Sequence, residues 1–80
     1  MYDERKVEDV VLALMHLNAV KDRYGWRAWK SFPWEATDGL YERGLITDPK
    51  SKAKSVLLTD EGVQLAEQLF QEHFGMADEA

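Results

Sequence analysis

The groups able to do acid–base or metal chemistry are sparse in this chain. There are two histidines, His16 and His73, and no cysteine. Neither histidine has another histidine or a carboxylate three or four residues away, the spacing that sets two ligands on one helix face. No nucleophile–base pairing, phosphate-cradling glycine loop or paired-carboxylate motif can be read from spacing. Asp60-Glu61 follows Thr59 and is explained by the start of a helix. The chain is therefore expected to be no enzyme, with no catalytic residue, metal or cofactor.

Two constellations suit binding instead. Between Trp26 and Trp34 stand Trp26, Trp29, Phe32 and Trp34, with Arg27 and Lys30 interleaved. Tryptophan and arginine favour interface hot spots, so Trp26, Arg27, Trp29 and Lys30 are candidates for a partner-binding patch. Base stacking on single-stranded nucleic acid also uses such groups. The bland alternative is that the aromatics fill the core. Lys50, Lys52 and Lys54 alternate, which in a strand would place all three on one side. They could touch phosphates, or simply protect a sheet edge.

These groups must be positioned by a few short elements. The spacing predicts a first helix from about Asp3, its N-cap, to Arg23, ended by Tyr24-Gly25. From Val7 to Val20 only Glu8, Asp9, His16 and Asn18 are polar. A helix apolar on most sides must be covered on most sides. Val7, Val11, Leu14 and Met15 are therefore candidates for a homodimer interface. An extended connection carries the tryptophans. A second helix runs from Pro33 to Arg43, with Gly44 past its end and Trp34, Thr37 or Ala36, Leu40 and Tyr41 facing inward. Trp34 is the expected core anchor. Leu45-Ile46-Thr47 and Ser55 to Leu58 read as strands of a hairpin, turned at Asp48-Pro49. Thr59 caps a third helix with the stripe Val63, Ala66, Leu69, Phe70 and Phe74, ended by Gly75. Met76 to Ala80 should fray.

Composition sets the class. Eighty residues, 45% of them hydrophobic, make one domain over 1–80 with an ordered core at about 3–75. So small a domain is marginal unaided, and without cysteine self-association is the remaining common help. No apolar run approaches the roughly 18 residues of a membrane span, and the start, Met1 to Lys6, carries both signs of charge. No signal peptide or membrane partner is expected, and the address is taken as cytoplasmic. A net charge of -5 opposes generic nucleic-acid binding. The charge is lopsided: Arg43 to Leu58 holds four bases against Asp48, while Thr59 to Ala80 holds six acids and no Lys or Arg.

Leu40-Tyr41-Glu42-Arg43-Gly44-Leu45-Ile46, followed by Leu58-Thr59-Asp60-Glu61-Gly62, resembles a winged helix-turn-helix. Bacterial regulators of that superfamily show L-x-x-x-G-L-I at the end of the recognition helix, then a wing, then L-T-x-E-G. The resemblance implies an α+β, mainly helical fold of three helices and a two-stranded β-hairpin, the wing. The whole chain is also similar to a small bacterial family of uncharacterised proteins, on Arg27-Ala28-Trp29-Lys30, Phe32, Trp34, Gly44-Leu45-Ile46, Asp48-Pro49 and Lys52-Ala53-Lys54-Ser55-Val56. Two departures count against DNA reading. The first helix of the DNA-reading pair has only about a dozen residues of chain before Pro33, so it is shortened or lost. The candidate recognition helix carries Glu35, Asp38 and Glu42, which phosphate would repel. The leading expectation is thus a small cytoplasmic interaction or accessory protein that forms a homodimer and binds an unidentified protein. The alternative is a winged-helix transcriptional regulator with weak DNA binding. A third reading is an acidic decoy of nucleic acid using Glu67 and Glu72 on the last helix.

Overall fold

The computed structural model describes residues 1–76. Its elements are α1 (Glu4–Asn18), β1 (Val20–Asp22), β2 (Gly25–Trp29), α2 (Trp34–Glu42), β3 (Ser55–Leu57) and α3 (Asp60–Phe74). The fold is α+β: three helices and a three-stranded antiparallel sheet in the order β1-β2-β3.

Asp3 caps α1 as expected, its Oδ1 accepting from Lys6 N at 3.2 Å. The helix stops at Asn18, five residues short of the expected Arg23, and Val20–Asp22 turn back as an edge strand. Asp22 explains the difference. Its Oδ1 accepts from Tyr24 N at 2.8 Å, an Asx turn that competes with helix. Gly25 then takes a φ of 128°, which no side-chain-bearing residue adopts readily. The glycine is needed for its conformation, but it closes the β1–β2 hairpin and caps no helix.

α2 ends in a Schellman motif. Gly44, at φ 74°, donates to Tyr41 O at 2.9 Å, and Leu45 N donates to Leu40 O at 3.1 Å. The buried face of α2 is Ala36, Thr37 and Leu40, as expected of them, while Tyr41, expected inward, is exposed. Trp34 is not the core anchor: it is 71% exposed. The helical period explains this: six residues before Leu40, Trp34 lies about 120° round α2 from it, off the buried face.

Leu45-Ile46-Thr47 does not form a full hairpin strand. Ile46 makes one bridge to Leu58, and Thr47 N donates to Leu57 O at 2.9 Å. Leu45 O is taken by Thr59 N at 3.0 Å, and Asp48 Oδ1 accepts from Lys50 N at 2.9 Å, which bends the chain off the ladder. β3 pairs instead with β2, Arg27 opposite Leu57 and Ala28 opposite Val56. The expected two-stranded wing is therefore part of a sheet whose other strands precede α2.

Thr59 caps α3 by accepting from Gly62 N at 3.0 Å, and its hydroxyl donates to Gly44 O at 2.7 Å. Gly62 is obligatory here, because a Cβ would strike the carbonyl of Leu45. Leu12, Met15, Leu40, Ile46 and Val56 are the largest fully buried side chains, with Ala28 and Ala66 between them. α1 packs on β2, and α2 and α3 pack on α1; the sheet face that carries the buried Ala28 and Val56 is the inner one. The fraying expected of Met76 to Ala80 falls, from residue 77 on, outside the described residues.

Candidate functional site

β2 is a central strand of the sort β-favouring tryptophans make, and its period of two sorts its side chains. Ala28 points inward, 1% exposed, opposite the buried Val56. Trp26 shares that face at its rim. Arg27 and Trp29 share the outer face with Val20, Leu57 and Ser55, their cross-strand partners. The candidates Trp26, Arg27, Trp29 and Lys30 therefore form no single patch. Lys30 is engaged elsewhere: its Nζ donates to Pro49 O and Ser51 O, each at 2.6 Å, and ties down the loop before β3.

The outer face is built around Arg27. Its Nε lies 2.8 Å from Asp22 Oδ2, and its Nη1 donates to Ser55 Oγ at 3.1 Å. The Arg27 guanidinium, and then the Tyr24 N–H, hold the Asp22 carboxyl below its ordinary range. Trp29 is 57% exposed and Val20 67%. Between them lies a shallow groove of about 160 Å³ lined by Asn18, Val20, Arg27, Trp29 and Ser55, among others. Reasoning from sequence did not find Val20 or Asp22 here. The spacing of Asp22 and Gly25, a hairpin signal, was the clue available.

The loop lysines are not on a strand. Residues 47–54 are irregular, so strand alternation gives Lys50, Lys52 and Lys54 no common side. Lys50 Nζ sits 3.6 Å from Asp38 Oδ1 on α2, while Lys52 and Lys54 are exposed. Glu35 and Glu42 are exposed on the same helix. Arg43 is turned away from solvent, its Nη1 3.0 Å from Glu8 Oε1 and its Nη2 3.1 Å from Asp9 Oδ1.

On α1, Val11 and Met15 are buried inside the chain, so neither can face a second copy. The cause is the bulk of the fold: helix and sheet cover a wider arc of α1 than its short chain led one to expect. Val7 is half-buried and packs on the core. Leu14 is half-buried too, and with Val10 and the 66%-exposed Leu17 it makes a stripe at i, i+4 and i+7. His16 stacks on Phe70 with centroids 5.2 Å apart, and His73 lies 6.1 Å from the Phe74 ring. Glu72 accepts from Gln68 at 3.1 Å, and Glu67 is exposed one turn earlier. Among the described residues no three His, Cys, Asp or Glu side chains cluster as metal ligands. Among them, too, no helix is long and apolar enough to cross a membrane.

Three helices packed through α1 on a small antiparallel sheet, with Trp29 and Arg27 on the sheet's other face, define an α+β domain. The chain belongs to the family described as a domain of unknown function (DUF6429), whose model matches residues 3–76. It is 51% identical over 72 residues to the uncharacterized protein y4hR of Sinorhizobium fredii (strain NBRC 101917 / NGR234), covering 90% of this chain and 93% of that one. No winged helix-turn-helix family is indicated by that match. No solved structure matches the chain.

Proposed function

We propose that this protein is a non-catalytic, cytoplasmic protein-interaction module that self-associates, and that the outer sheet face is the surface it offers a protein partner. The observation that carries the reading is Trp29, 57% exposed on a regular strand beside an arginine fixed by Asp22 and Ser55. A guanidinium already held in place loses little freedom on binding, and it stands beside an exposed aromatic.

Self-association rests on α1. Val10, Leu14 and Leu17 leave an apolar stripe on a domain small enough to gain from covering it. Sedimentation equilibrium at micromolar concentration tests this. The wild type should be a dimer and Leu17→Glu, altered at an exposed position, a folded monomer. A monomeric wild type would refute self-association.

A winged-helix DNA-binding role is the second reading, supported by the exposed Lys52 and Lys54 and by the turn from Gly44 into Ile46. It has less support, because a β-hairpin stands where the first helix of the DNA-reading pair belongs and α2 presents Glu35 and Glu42. The acidic-decoy reading has only the exposure of Glu67 and Glu72 behind it.

A further inference from the structure

We propose that the open edge of β1 takes up an extended segment of a protein partner that carries a carboxylate opposite Lys21. The added strand would widen the outer face, so this rests on that face being the partner surface. In an antiparallel ladder a residue's N–H and C=O point to the same side, and the side alternates along the strand. Trp26 O accepts from Leu58 N at 2.9 Å, so Trp26 turns its backbone toward β3. Lys21, paired with Trp26, therefore turns its own N–H and C=O away from β2. Among the described residues no backbone hydrogen bond reaches Lys21 from elsewhere, and all three residues of β1 are exposed. Such an edge holds extended chain by main-chain hydrogen bonds, and the alternating side chains select which chain.

Charge selects the segment. From Ala19 to Lys30 there are four bases, Lys21, Arg23, Arg27 and Lys30, against the single acid Asp22, in a chain of net charge -5. Asp22 is engaged by Arg27, and Lys30 by loop carbonyls. Lys21 and Arg23 are left exposed, with no ion pair among the described residues. Glu67 lines a groove that Trp26 also lines, yet makes no ion pair with Lys21. Lys21 shares the inner side with Trp26, its Nζ 6.0 Å from the ring centroid. A strand added antiparallel and centred on Lys21 sets its own central side chain on that side, opposite the ammonium.

A second copy added antiparallel fits this edge badly. Centred on Lys21, it opposes two lysines. Centred on Asp22, it opposes two aspartates and sets Lys21 against the copy's arginine at position 23. Centred on Val20, it needs the N–H of Ala19, which donates to His16 O. Lys21 thus admits an acidic strand and discourages pairing of the edge with itself.

The test is a 1H–15N NMR titration with three end-capped pentapeptides. The first is Thr-Val-Glu-Val-Thr, whose valines would fall on the outer side with Val20. The second has Gln at the centre, and the third is the first with its central nitrogen methylated. The Glu peptide should shift the Lys21 amide saturably, with a Kd of about 1 mM. It should bind about two- to fivefold tighter than the Gln peptide, the ratio one exposed ion pair supplies. The methylated peptide has no central N–H for Lys21 O and should not saturate. Lys21→Gln, at an exposed position, should keep the parent's melting curve and erase the preference for Glu. No saturation by the Glu peptide up to about 10 mM overturns the proposal. So does equal binding of the methylated peptide, or a Glu preference that survives Lys21→Gln. Saturable shifts at Trp29 and Ser55 with Lys21 unmoved also overturn it, and leave the outer face as the partner surface.

Discussion

Trp26 and Trp29 stand three residues apart on β2 and face opposite sides of the sheet. An odd spacing in a strand has no other outcome. The inner tryptophan borders the core side and carries Lys21 against its ring. The outer one is left to solvent beside Arg27. One aromatic-rich segment therefore serves two surfaces.

The third tryptophan, Trp34, belongs to neither surface. Trp34→Ala should melt within about 0.5 kcal/mol of the wild type, as exposed substitutions do. Leu40→Ala, six residues on and fully buried, should lose about 2–5 kcal/mol. That loss is comparable with the whole stability of a small domain. Urea denaturation of both variants checks the pair. A wild-type-like Leu40→Ala with an unfolded Trp34→Ala would place the core on the wrong face of α2.

Arg43 fastens the end of α2 to α1 through Glu8 and Asp9, with all three side chains mostly shielded from water. Arg43→Ala leaves two neighbouring carboxylates without their shared cation. It should cost about 2 kcal/mol, and Arg43→Lys should recover only part, since an ammonium cannot serve both acids as a fork does. Thermal melts at low and high salt measure this. Melting temperatures of Arg43→Ala and wild type that agree at both salts would remove the fork from the account.

Asp22 ties stability to pH. Its carboxyl is held below its unfolded value of 3.8, chiefly by Arg27. A depressed carboxylate adds stability that is fully present above its unfolded pKa and fades as pH falls through its lower folded one. The Asp22 contribution should thus be flat from neutral pH to about 5 and decline below about 4. Asp22→Asn should melt lower than the wild type at pH 7, with the gap closing in that acid window. Differential scanning calorimetry from pH 7 to pH 3 reads it, and a gap that widens toward acid contradicts the ion pair.

DNA should bind weakly and without regard to sequence. Around α2 and the loop before β3, Lys50 is paired with Asp38, Lys30 with loop carbonyls and Arg43 with two acids, which leaves Lys52 and Lys54 there for phosphates. A fluorescence titration at physiological salt should find a Kd no tighter than about 1 μM, the non-specific range. Nanomolar, site-selective binding would promote the winged-helix reading.

The parts of the fold that could be read ahead were those set by local chemistry. Pro33, Gly44 and Thr59 mark the ends of α2 and the start of α3 through bonds to residues close by in sequence. β1 was hidden because Ala19 and Val20 continue the helical spacing of α1, and Gly25 can end a helix or close a hairpin equally well. Pairing decided between them. Only Arg27 and Ala28 reaching across to Leu57 and Val56 make a strand of β2, and so a partner of Val20–Asp22. The site was half legible for the same reason. Trp29 and Arg27 were candidates by type. The division of the patch between two faces, and the withdrawal of Lys30 into the loop, depend on a register that spacing alone does not give.

The outer face is tested most directly by parallel capture from the native host with three baits: wild type, Trp29→Ala and Trp34→Ala. Each bait is first shown by its melting curve to be folded, and the captured proteins are identified. Two exposed tryptophans on different surfaces make each variant a control for the other. The account predicts a defined protein held by the wild type and Trp34→Ala baits and lost from Trp29→Ala. A protein that stays with Trp29→Ala, or leaves only with Trp34→Ala, would contradict it and move the binding surface from the sheet to α2.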